Sequence, residues 1–163
     1  DQLKIDQYTK HKIDSEINLY SSKLMDITTI LRLPFVFSAD DYTNRFQRLC
    51  EISLKENNMI FKSPFKYSLI RKDDAVEAII KIFNIKPAGI IDLSNTGYVT
   101  NKKLVEVLSN YGNSIKKNQK KEDESFPYFV NKDICLSSQK MTIDLSIFEA
   151  VINEAEKYWL LNS

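Results

Sequence analysis

Apolar residues recur at helical spacing from Ile5 to about Leu24, at Ile5, Tyr8, Ile13, Ile17, Tyr20 and Leu24, with Asp, Lys, Ser and Glu between them. That period predicts an amphipathic helix. The pattern changes at Ile27. From there to Phe37 the chain is almost continuously apolar around Arg32, and Ile27, Thr28, Thr29, Ile30 and Val36 are β-branched. Such a run predicts a strand buried on both faces, as in a parallel sheet, ending near Pro34, which has no N–H to give the ladder. A parallel strand needs partners, and the expected place for them is chain before residue 1.

Ser38, Asp40, Asp41 and Thr43 offer caps for a helix from about Tyr42 to Glu56, with Phe46, Leu49, Cys50, Ile52 and Ser53 on its inner side. Asn57-Asn58 breaks it. Met59-Ile60-Phe61 and Tyr67-Ser68-Leu69-Ile70 then read as hairpin strands around Ser63-Pro64. Asp73-Asp74 precedes the helical run Ala75–Phe83, where one carboxylate caps and both favour the helix dipole. A catalytic carboxylate pair is the rival reading, but it lacks a companion group. Pro87-Ala88-Gly89 turns the chain into a strand from Gly89 to Leu93, and Thr100 or Asn101 caps a helix bearing Leu104, Val105, Val107 and Leu108 that Gly112 ends. The stretch from Lys116 to Glu124 has no apolar residue and reads as a solvated loop, and Phe126 to Val130 as an extended segment. A closing helix starts at Asp144 or Ser146 and carries Ile147, Phe148, Val151, Ile152, Ala155, Tyr158 and Trp159.

Composition narrows the partners. With 43% hydrophobic and 28% charged residues the chain is of ordinary globular type, and 163 residues suit one domain with part of another. Twenty-three basic against 22 acidic residues leave a net charge of +1, so no global field draws the protein to nucleic acid or anionic lipid. Two distant cysteines, Cys50 and Cys135, and one histidine, His11, support neither a zinc site nor a histidine triad. They fit reduced thiols in the cytoplasm. No apolar run approaches the ~20 residues a membrane-spanning helix needs. Gly89, Gly97 and Gly112 are scattered, so no loop of this sequence cradles a pyrophosphate.

The candidate chemistry lies in the first helix. Tyr8 and Lys12 are four residues apart and share a helical face. A phenol ionises near pH ~10, and a fixed cation that favours phenolate suits it to proton transfer at neutral pH. Taken alone, the pair reads as a core tyrosine beside a solvated lysine.

The order of motifs adds to it. Tyr8-x-x-x-Lys12 on a helix is followed by Ile30-Leu31-Arg32-Leu33-Pro34-Phe35-Val36-Phe37, then Ser68-Leu69-Ile70-Arg71-Lys72-Asp73-Asp74 leading into a helix. Gly89-Ile90-Ile91-Asp92-Leu93-Ser94-Asn95 comes next, and a last helix ends at Tyr158-Trp159. Together they resemble the C-terminal part of the extended short-chain dehydrogenase/reductase family, the nucleotide-sugar epimerases and dehydratases. The resemblance implies an α/β fold: the C-terminal piece of a Rossmann-like parallel sheet over residues 1–37, and a small mixed α/β substrate-binding domain over residues 38–163.

Its functional implications follow residue by residue. Tyr8 is the acid/base that exchanges a proton with a sugar hydroxyl and, with Lys12, borders the cofactor; Lys12 binds the nicotinamide ribose and favours the phenolate. The backbone of Leu33, Pro34 and Phe35 lies against the nicotinamide, while Phe46, Arg71 and Asn95 fall in blocks that line a nucleotide-sugar pocket. The cofactor is NAD or NADP, its pyrophosphate held by chain before residue 1, so this chain alone is inactive. The substrate is a nucleotide sugar, neither nucleic acid nor membrane is a partner, and the intact protein is a homodimer through the Tyr-x-x-x-Lys helix. Ser38 stands where the family commonly has glycine, and Arg71-Lys72 where it has histidine and valine. These departures motivate the alternative, a non-catalytic binding or scaffold protein that keeps the fold.

Overall fold

The computed structural model describes residues 7–53, 64–112, 133–136, 143 and 145–161. Along the chain lie helix α1 (Gln7–Ser21), a 3₁₀ turn (Met25–Ile27), strands β1 (Thr29–Arg32) and β2 (Phe35–Phe37), α2 (Arg45–Ser53), β3 (Leu69–Arg71), α3 (Lys72–Ile85), β4 (Gly89–Asp92), α4 (Asn101–Gly112) and α5 (Ile147–Leu161). The strands form two parallel pairs. β1 lies beside β4, from Thr29 opposite Gly89 to Arg32 opposite Asp92, and β2 lies beside β3, from Phe35 opposite Leu69 to Phe37 opposite Arg71. Parallel partners need a crossover, and α3 supplies one by carrying the chain from β3 in one pair to β4 in the other.

The structure corrects the reading of residues 27–37 as one strand buried on both faces. Ile27 closes the 3₁₀ turn, and the rest divides between the two sheets, with Leu33 and Pro34 as the crossing. Pro34 gives no N–H and holds the residue before it extended, so the backbone leaves β4 after Arg32 and joins β3 at Phe35. The partner of β1 is within this chain, as β4. Each pair joins a strand before residue 38 to one after it, β1 to β4 and β2 to β3.

The main core lies under β2 and β3, against α2, α4 and α5. The five inner positions read from the α2 pattern, Phe46, Leu49, Cys50, Ile52 and Ser53, are its buried residues. Thr100 caps α4, its Oγ1 accepting the Lys103 N–H at 3.2 Å. α5 opens on a reciprocal box: Ser146 Oγ accepts the Glu149 N–H at 3.3 Å, and Glu149 Oε2 accepts the Ser146 N–H at 3.1 Å. A second, smaller core packs Ala75, Ala78 and Ile82 of α3 against Ile91 of β4, with Leu31 of β1 beside it.

Two local expectations change. Arg71, extended at φ −69° and ψ 140°, occupies the N-cap of α3 without a side-chain bond, while Asp73 and Asp74 sit inside the first turn, where the dipole still favours them. β3 pairs in parallel with β2; Met59–Phe61, the other strand of the expected hairpin, lies outside the described residues, as do Asn57-Asn58, Ser63, 116–124, 126–130 and Asp144. Helix α1 buries none of its residues.

Candidate active site

Tyr8 and Lys12 stand one above the other on α1, with Lys12 Nζ 5.4 Å from the centroid of the Tyr8 ring. A cation over a phenol face is attracted by the ring quadrupole, which keeps the two side chains together. The phenol is open to solvent, at 71% exposure. Among the described residues Lys12 meets no carboxylate, so its three N–H donors remain available to hydroxyl groups.

One turn further along the same face, Glu16 reaches the end of β1. Arg32 donates to it through Nε at 3.2 Å and Nη2 at 2.5 Å, a two-pronged pair. Hydrogen bonding to the guanidinium holds the Glu16 carboxyl below the usual carboxylate range, and Glu16 in turn raises Arg32, which Asp92 and Tyr20 also favour as a cation. Arg32 is followed directly by Leu33, Pro34 and Phe35. Leu33 is exposed, Pro34 and Phe35 are half-buried, and the Phe35 ring meets the edge of Tyr67 at 5.9 Å. The Tyr67 hydroxyl is buried without a hydrogen-bond partner, and burial pushes its pKa up. The crossing between the two sheets thus lies at the carboxyl end of β1, the end where open α/β sheets receive ligands.

Arg71 and Asn95 meet through Asp74. Arg71 donates to Asp74 Oδ1 through Nε at 3.2 Å and Nη2 at 2.5 Å. The Asn95 amide donates to Asp74 Oδ2 at 2.7 Å, and its carbonyl accepts the Arg71 N–H at 2.8 Å. The Asn95 N–H also donates to the Leu69 carbonyl at 3.0 Å, so this residue stitches the segment after β4 to β3. Asn95 is fully buried, and Phe46, at 1% exposure, packs on Phe37 at 5.2 Å. Phe46 and Asn95 therefore shape the scaffold, and their side chains offer no surface to a ligand in this arrangement.

Two groups escaped the sequence reading. The Glu16–Arg32 pair had a signal, since an acid four residues after Lys12 shares its face. The other group surrounds a cavity of about 440 Å³ between the segment after β2, the start of α3 and the end of α5. There Lys72 binds Asp40, Lys157 binds Asp73 and Glu154, and Glu154, at 2% exposure, accepts the Ala39 N–H at 2.8 Å. Lys72 and the Ser38 hydroxyl together hold the Asp40 carboxyl down at about 2. Glu154 lies four residues from both Ala150 and Tyr158, a buried-face position for which the apolar pattern gives no warning.

Among the described residues no group of three or more His, Cys, Asp or Glu side chains could hold a metal ion, and no helix is long and apolar enough to cross a membrane. No protein-family model matches the chain, and no curated protein matches it. Solved structures do share its fold. The dTDP-glucose 4,6-dehydratase of Bacillus anthracis, solved in complex with NAD, superposes with a TM-score of 0.70 at 12% identity, over 98% of this chain and 53% of its own. The UDP-glucose 4-epimerase of Bifidobacterium longum, in complex with NAD+ and UDP, gives 0.64 at 11%, over 96% and 55%. That of Thermotoga maritima, with UDP-glucose, gives 0.62 at 16%, over 95% and 53%. The chain spans about half the length of these proteins, and over that span it shares their mixed α/β fold.

Proposed function

We propose that this chain is the substrate-binding, C-terminal part of a cytoplasmic NAD(P)-dependent nucleotide-sugar epimerase, dehydratase or reductase. The observation that carries the reading is the solvent-open Tyr8 phenol beneath the Lys12 ammonium, on a helix that leads to the crossing between the sheets. The fold shared with NAD-bound nucleotide-sugar enzymes supports it. In this reading residues 1–37 belong to the dinucleotide-binding domain and 38–163 to the substrate domain, and preceding chain holds the pyrophosphate.

The hydride chemistry would be supplied by NAD or NADP when bound. Tyr8 takes a proton from a sugar hydroxyl and gives it back. Lys12 would hold the nicotinamide ribose through hydrogen bonds, and it keeps a positive charge beside the phenol. The backbone of Leu33, Pro34 and Phe35 forms a wall for the nicotinamide, and the Arg71–Asp74–Asn95 network fixes the segment after β4 in register with β3. The exposed Ile13, Ile17 and Tyr20 of α1, with Leu24 just after it, gain cover in the intact homodimer.

The test uses the intact protein, including the preceding chain. Tyr8→Phe lowers nucleotide-sugar turnover by ~10²–10⁴-fold, the usual contribution of a general acid/base, and leaves nicotinamide-cofactor affinity unchanged. Equal turnover in wild type and variant removes Tyr8 from the mechanism. An intact protein with no affinity for a nicotinamide cofactor contradicts the whole reading in favour of a scaffold.

A further inference from the structure

We infer that the ion pair between Glu16 and Arg32 sets the pitch of α1 over the Leu33–Phe35 segment and so positions Tyr8 and Lys12; this rests on the role proposed above for those two residues. Glu16, Lys12 and Tyr8 follow one another at four-residue steps, so a change in where Glu16 is held moves the other two along the same face. At ~1.5 Å per residue, Lys12 lies about 6 Å and Tyr8 about 12 Å from the level of Glu16. No residue of α1 is fully buried, and only Glu16 and Leu19 are half-buried, so burial alone does not set the orientation of the helix among the described residues. The two-pronged bond does, because a guanidinium fork and a carboxylate fix direction as well as distance.

A second carboxylate favours the Arg32 cation from the other side. Asp92 stands opposite it in the parallel register, and one Asp92 carboxylate oxygen is buried without a hydrogen-bond partner. The groups that face the guanidinium are thus Glu16 and Tyr20 from α1 and Asp92 from β4. The pair is partly exposed, with side chains at 44% and 28%, and an ion pair in that setting adds little to stability. Its contribution is geometric. Arg32 is also the residue before Leu33, so one side chain ties the wall proposed for the nicotinamide to the helix carrying the proton-transfer group.

The experiment compares wild type, Glu16→Gln, Arg32→Gln and the double variant in the intact protein, reading kcat, KM for the nucleotide sugar and amide exchange across residues 7–21. Glu16→Gln keeps the shape and removes the charge. The expected result is a kcat about ten- to a hundredfold lower, the cost of a misplaced reacting group, with KM within about twofold. The double variant should lose no more than Arg32→Gln, because both remove one link. An unchanged kcat in Glu16→Gln, or losses that multiply in the double variant, overturns the inference. If the wild type turns over no nucleotide sugar, the proposed function fails, and exchange decides the tie by itself: faster exchange in Glu16→Gln supports it, and equal exchange overturns it.

Discussion

Helices α1 and α5 are each fifteen residues long, and both carry apolar residues at helical spacing, yet they differ completely in cover. α5 buries Ile147, Ala150, Val151, Glu154, Ala155, Tyr158 and Trp159 against the strands and the other helices, whereas α1 buries nothing. Periodicity therefore says that a face wants cover without saying where the cover comes from. For α5 it comes from this chain, and its aromatic end is structural: Trp159 stacks on Tyr111 at 5.7 Å, and the Tyr158 hydroxyl donates to Glu51 at 2.9 Å. For α1 the same kind of stripe stays open beside a tyrosine and a lysine that touch each other. One tyrosine is thus committed to the core, and the other stays open to solvent.

The comparison breaks most visibly in stability. Ile147→Ala should cost ~2–5 kcal/mol, the range for a buried large-to-small change, while Ile17→Ala in this chain should stay within ~0.5 kcal/mol. Urea unfolding measures both. Comparable losses mean that α1 is packed within the chain after all.

A smaller effect sharpens the contrast between the tyrosines. Tyr158→Phe removes one hydrogen bond to Glu51 and should cost ~1 kcal/mol while leaving turnover of the intact protein unchanged. It is the mirror of Tyr8→Phe, which should spare stability and abolish turnover. A loss of turnover in Tyr158→Phe without loss of stability would erase the distinction.

Much of this difference was legible in the sequence, and the exceptions have physical causes. The inner face of α2 was read residue by residue, because a short helix with a strong pattern leaves little choice. The crossing at Leu33-Pro34 was hidden: an apolar run looks the same whether it stays in one sheet or passes between two, and the partner of β1 lies some sixty residues away. Asp73 and Asp74 lie at the expected end of α3 but two and three positions past its cap, because the extended backbone of Arg71 takes the cap without a side-chain bond. The Ser146/Glu149 box was visible as Ser-x-x-Glu and went unread. Phe46 and Asn95 drew their substrate role from the resemblance, and position along a motif does not show which way a side chain faces. Tyr8 and Lys12 were legible as a pair because a four-residue step fixes their relation whatever the rest of the fold does.

The smallest effect concerns the tie between the two regions. The Glu16 carboxyl titrates below its ordinary 4.5 in the folded chain, so its bond to Arg32 is complete above pH 4.5 and is lost as pH falls through the folded value. Amide exchange over residues 7–21, corrected for intrinsic rate, should be flat above pH 4.5 and rise below it, by more than over the buried turns of α5 at residues 151–161. Exchange in α1 that follows α5 at every pH would show that the tie does not govern the helix.

The central claim is that Tyr8 and Lys12 face a nicotinamide whose site is completed by chain outside this sequence. A crystal structure of the intact protein with NAD bound tests it most directly. The account predicts the Lys12 ammonium within ~3.2 Å of a nicotinamide ribose hydroxyl and the Tyr8 oxygen open to the sugar site beside the ring. A structure with the nicotinamide elsewhere, or with Tyr8 sealed in an apolar interior, would contradict it.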